Sequence, residues 1–193
     1  MKKVYSLFLA LSAFAWNPAS ATTVIPPTFD QLVDRAEIIF QGTVQDVRSQ
    51  WIGEGAQRHI STYVTFAVQN TLKGEPGATF VLQMLGGTVG DTTMEVTDSP
   101  KFARGDREIL FVENNGRQFV PLVGIMHGRF HIQRDVRSGK ESLTNDHGEI
   151  VTSVAKLGHD EAAPAMADAS SEAPLSLPDF EAAVRGKLVS ATK

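Results

Sequence analysis

Five histidines, at positions 59, 127, 131, 147 and 159, are the first side chains that could do acid–base or metal chemistry. Only His127 and His131 stand close together, separated by Gly128, Arg129 and Phe130. On a helix this spacing would turn both imidazoles to one side, as in a zinc pair. On a strand the even spacing also leaves them on one face unless Gly128 shifts the register. No glutamate stands where a His-Glu-x-x-His helix needs one. Arg129 would repel a cation, and two ligands fall short of a zinc set. The segment is read as a strand face with His127, Arg129 and His131 as binding candidates. No catalytic residue, metal ligand or cofactor is assigned.

Trp51 is the other binding candidate, at the tip of a predicted ribbon. It either anchors a partner or covers the end of a barrel. Arg104-Gly105-Asp106 matches an adhesion tripeptide, but it also suits a plain turn in which Gly frees the backbone and Asp stabilises it. Gly86-Gly87-Thr88-Val89-Gly90 lacks the Lys-Ser/Thr and the following helix of a phosphate cradle. It reads as a loop that breaks the preceding strand. Asp91, Glu95 and Asp98 lack the dense oxygen set of a calcium cage. There is no Gly-x-Ser-x-Gly nucleophile turn.

The elements that position these residues are mostly strands. Residues 36–74 alternate apolar and polar side chains as two long antiparallel strands around Gly53-Glu54-Gly55. Ile60, Thr62, Val64, Phe66 and Val68 share one face. Gly42, inside the first strand, marks a bulge or bend. Further strands follow at 78–85, 92–96, 107–113, 118–123 and 128–134. Asn114-Asn115-Gly116 is read as a hairpin turn needing positive φ, and Phe102 as a plug. Thr28 and Gln31 form a capping box for a short helix after Pro26-Pro27. The predicted core holds Phe40, Val44, Val64, Phe66, Leu82, Phe111 and Phe130. The fold class is mainly β: a small OB-like barrel with a short helix before it and an amphipathic helix after it. A β-sandwich is the alternative.

Residues 1–21 have the pattern of a signal peptide. Lys2 and Lys3 precede an apolar run too short to span a bilayer, and Ala19-Ser20-Ala21 is a small-x-small site. The expectation is an exported chain, periplasmic or extracellular, starting at Thr22. An extended 22–27, a barrel at 28–151, a linker at 152–175 rich in Ala, Ser, Asp, Glu and Pro, and a helix at 176–190 complete the organisation. Losing Lys2 and Lys3 leaves 16 cations against 22 acids, moving the charge from −4 to −6. That charge argues against nucleic-acid binding and against polybasic attraction to a membrane. The absence of cysteine excludes disulfides, a lipobox anchor, cysteine–zinc sites and thiol catalysis.

The run AEIIFQGTVQDV, then ISTYVTFAVQNTLKG, TFVLQ and REILFVENNGRQFV resembles the amino-terminal domain of tissue inhibitors of metalloproteinases and related netrin-like modules. It covers about residues 29–132, and Lys73-Gly74 matches that family's turn after the second strand. The chain also resembles a group of exported bacterial proteins without assigned activity. The resemblance implies an OB-type barrel. The family's chelating amino-terminal cysteine has no counterpart here, so no inhibitory residue carries over.

The expected function is an exported, non-enzymatic binding or inhibitor-like module with a secreted or periplasmic protein partner. The first alternative is a hydrolase using His127 or His131 with an acid such as Asp106. The second is an envelope-polymer or carbohydrate binder using Trp51 and Tyr63. The sequence leaves the oligomeric state open.

Overall fold

The computed structural model describes residues 25–158 and 173–191. The expected signal peptide, the mature start at Thr22 and the middle of the expected linker lie outside them. The chain is mainly β. In order come α1 (Phe29–Arg35), β1 (Ile38–Ile52), β2 (His59–Lys73), β3 (Thr79–Leu85), β4 (Gly87–Val89), β5 (Thr92–Met94), β6 (Arg107–Val112), β7 (Arg129–Arg134), β8 (Glu141–Asn145) and α2 (Leu177–Ala191). Six strands form one antiparallel sheet in the order β3-β2-β1-β6-β7-β8.

Local chemistry sets these elements. Thr28 and Gln31 close both halves of the capping box that starts α1. Gly42 sits at a register shift in β1, where an added Cβ would lie 2.7 Å from the Phe40 ring. The glycine-rich segment differs from expectation. Gly87–Val89 is itself a strand, paired with Thr92–Met94. Its Gly87 passes so close to Ser49 and Thr62 that a Cβ would strike both hydroxyls. Close approach, not phosphate, explains Gly86 and Gly87, and a left-handed φ of +58 at the β4–β5 turn explains Gly90.

The sheet does not close through a continuous ladder. Residues 114–122 fill the gap between β3 and β6. Asn115 Oδ1 accepts from the Gln83 N–H at 3.0 Å, and its Nδ2 donates to the Val81 carbonyl at 2.8 Å. The Leu85 N–H donates to the Phe119 carbonyl at 2.8 Å. Residues 118–123, expected as a returning strand, form no strand. They meet β6 at the isolated bridge Val112–Leu122, where the Glu113 N–H donates to the Pro121 carbonyl at 3.2 Å and the Val123 N–H to the Phe111 carbonyl at 3.0 Å. Pro121 has no N–H to donate, and the chain has swung across to β3.

The seven predicted core residues are all buried, but on two sides of the sheet. Phe40, Val44, Val64, Phe66 and Leu82 fill the inside with Leu110 and Val112. Phe111 and Phe130 face the other way, against α1 and α2. Phe180 of α2 packs on Phe130 at 5.1 Å and on Phe29 at 6.0 Å between ring centres. The final helix is therefore docked. Both described ends of the expected linker are also packed: Val154, Leu157 and Leu175 touch this second core.

Candidate functional site

The β6–β7 register places Glu108 opposite His131 and Leu110 opposite Arg129. Because opposed residues share a face, Glu108, Arg129 and His131 all point to the inner side. Asp146 follows β8 directly and completes the group. His131 Nδ1 lies 3.1 Å from Glu108 Oε1, and its Nε2 lies 3.7 Å from Asp146 Oδ1. Arg129 Nη2 donates to the same Glu108 oxygen at 2.9 Å. Its Nη1 donates to Asp146 Oδ1 at 3.1 Å and to the Lys101 carbonyl at 2.8 Å. The Arg129 guanidinium stacks on Phe102 at 4.1 Å, and Phe102 meets Phe66 edge-on at 5.6 Å. Phe102 is the plug that was expected.

Electrostatics follow from these contacts. His131 is pushed up to about 9, first by the Asp146 carboxylate and then by its hydrogen bond with Glu108; burial opposes them. Burial alone would raise Asp146, but the combined contacts with His131 and Arg129 hold its carboxyl below the ordinary value. His127 is pulled below its ordinary value, chiefly by burial and then by His147. A protonated His131 with a carboxylate at each nitrogen is an ion-pair clamp joining three neighbouring strands. It has no free lone pair with which to act as a base at neutral pH.

The structure redistributes the sequence candidates. His127 precedes β7, so the even-spacing argument does not apply, and its ring neighbour is His147 at 6.3 Å. Arg129 is only 3% exposed, so this binding candidate is withdrawn from the surface. A guanidinium inside the sheet is tolerated because carboxylates surround it. Asp106, the proposed acid partner, accepts instead from the Ala103 N–H at 2.7 Å and lies 3.5 Å from Arg129. Arg104-Gly105-Asp106 is fastened to β1 through Val44. Trp51 is half-buried, with the Arg58 guanidinium 4.3 Å above its ring. Trp51 pairs with Ile60 and Tyr63 with Arg48, an odd offset along both strands. The two aromatics therefore lie on opposite faces and form no shared platform. Among the described residues, no three His, Asp or Glu side chains converge as a metal site.

Sequence reasoning missed Glu108 and Asp146. Glu108 did carry a signal: a carboxylate inside the apolar strand Arg107–Val112 demands a buried partner. Asp146 carried none, because the β7–β8 hairpin alone brings it to His131.

A second feature lies at the surface. Asn114, Arg117, Gln118 and Phe119 line an open depression of about 350 Å³. Phe119 is 69% exposed, although its carbonyl and the neighbouring Asn115 are tied to β3. No protein-family model and no curated protein matches this sequence.

Proposed function

We propose that the chain is an exported, non-enzymatic binding module that takes a secreted or periplasmic protein partner on the surface around Phe119. The observation that carries this reading is Phe119 itself, a large aromatic ring held out in solvent by a fastened loop. Exposed aromatic side chains on pre-ordered backbone make good interface anchors, because little further ordering is needed on binding. Export rests on the amino-terminal sequence pattern. An inhibitor-like role, which the resemblance to metalloproteinase inhibitors implies, belongs to the same class of non-enzymatic contact. The hydrolase alternative is weaker because His131 lies clamped between two carboxylates.

The test is capture from periplasm or medium with tagged mature protein, wild type against Phe119→Ala. Thermal melting confirms that both are folded. A partner recovered by wild type and lost with Phe119→Ala supports the reading. Equal recovery by both forms removes this surface from it.

A further inference from the structure

Two of the residues that line the depression beside Phe119, Asn114 and Arg117, already hold a carboxylate of the chain itself. Glu37, between α1 and β1, reaches across so that Oε2 accepts from the Asn114 N–H at 3.3 Å and Oε1 accepts from Arg117 Nη2 at 3.1 Å. One backbone donor and one guanidinium thus hold the two oxygens of a single carboxylate. Asn114 takes φ +53, in the left-handed region, at the start of the turn that carries both donors. Arg117 and Gln118 N–H groups both return to the Asn114 carbonyl, at 2.9 and 3.1 Å. The turn is therefore set before any ligand arrives.

The Glu37 contact is weak enough to exchange. Its side chain is 51% exposed and that of Arg117 is 70% exposed. An exposed pair of this kind contributes little to folding. The remaining polar side chains of the depression are engaged internally: Gln118 Nε2 donates to the Val120 carbonyl, and its Oε1 accepts from Asn114 Nδ2. What the surface offers a partner is a carboxylate seat next to an exposed phenyl ring.

We propose that the Phe119 depression recognises an acidic residue flanked by an apolar side chain on a partner protein, and that Glu37 is a stand-in which the partner's carboxylate displaces. This inference rests on the binding reading above. The chain's negative net charge gives an acidic partner no long-range attraction, so recognition is local to the Asn114 N–H, Arg117 and the ring.

The test uses an acetylated, amidated hexapeptide Gly-Ser-Glu-Leu-Ser-Gly and its counterpart with glutamine in place of glutamate. Each is titrated to millimolar concentration against the mature protein, with backbone amide shifts of Asn114, Arg117 and Phe119 as readout. The glutamate peptide should shift all three and the glutamine peptide should not. Glu37→Gln should bind the glutamate peptide up to about fivefold tighter, since a competitor worth at most about 1 kcal/mol is gone. Arg117→Ala should bind it more weakly. The inference is overturned if the glutamate peptide shifts none of these amides, if both peptides bind alike, or if Glu37→Gln binds no tighter. If it fails while Phe119→Ala still loses the captured partner, the binding reading stands and only the carboxylate chemistry falls.

Discussion

Glu108 and His131 face each other directly across β6 and β7, with 3.1 Å between Oε1 and Nδ1. Glu108 is fully buried, and the same oxygen also takes the Arg129 guanidinium. One buried carboxylate therefore organises two cations from the neighbouring strand. The second carboxylate, Asp146, reaches both cations from the end of β8.

This arrangement makes stability depend on pH in one direction. The folded-state value of His131, about 9, lies above its ordinary 6.5. The stabilisation is therefore fully present below the ordinary value and is lost as pH rises through about 9. Relative to His131→Gln, the wild-type protein should lose on the order of 1–3 kcal/mol between pH 6.5 and pH 10. Urea denaturation at both pH values measures it. Parallel curves for the two forms would show that the clamp contributes nothing.

The Arg129–Glu108 pair should behave as a buried pair does. Arg129→Met removes the buried guanidinium and leaves Glu108 with His131 as its one remaining cation, and should cost roughly 3–5 kcal/mol. Adding Glu108→Leu should restore much of that loss, because the under-compensated buried charge goes with it. A double-mutant cycle in urea reads the coupling. Additive losses would mean that the two groups are not partners in solution.

The strands of the long β1–β2 ribbon and their inner face were legible because period-2 alternation reports burial on one side of a sheet. Phe40, Phe66 and Leu82 follow that rule. Phe111 and Phe130 were legible as buried but not as a separate core, since alternation does not reveal that α2 covers the opposite face. The site was legible only in part. His131 and Arg129 stood out by type, yet their roles depend on Glu108 and Asp146, which strand pairing supplies. Phe119 could not be singled out, because residues 118–123 read as an apolar strand returning from the Asn114-Asn115-Gly116 turn, while Pro121 and the reach toward β3 keep them out of one.

The two cores give a paired prediction. Phe66→Ala should cost roughly 3–5 kcal/mol by opening a cavity on the inner side. Phe180→Ala should cost a similar amount and also release α2, seen as faster amide exchange over Leu177–Ala191. The two losses should add, because the rings belong to different clusters. Unchanged exchange in α2 with Phe180→Ala would show that the helix is held by its polar contacts instead. Those contacts include Glu181 and Arg185 with Asn70 and Lys187 with Asp30 and Asp34.

Asn115 guards the edge of the sheet. Its carboxamide takes the place of a neighbouring strand's peptide group, accepting from the Gln83 N–H and donating to the Val81 carbonyl. These groups point away from β2, because β3 spends alternate residues on that partner. With Asn115→Ala both are left to solvent. Water can satisfy them, so the stability loss should be modest, about 1 kcal/mol. The larger consequence is an open edge beside Val81, which is already 44% exposed. Unpaired strand edges recruit other strands. Asn115→Ala should therefore show faster exchange at the Gln83 amide and concentration-dependent self-association by sedimentation. Asn115→Asp keeps the acceptor, loses the donor and places a charge at the edge, so it should stay dispersed. If both variants sediment like wild type and the Gln83 amide stays protected, the edge is sealed by the Phe119 contact alone, and Asn115 is not its guard.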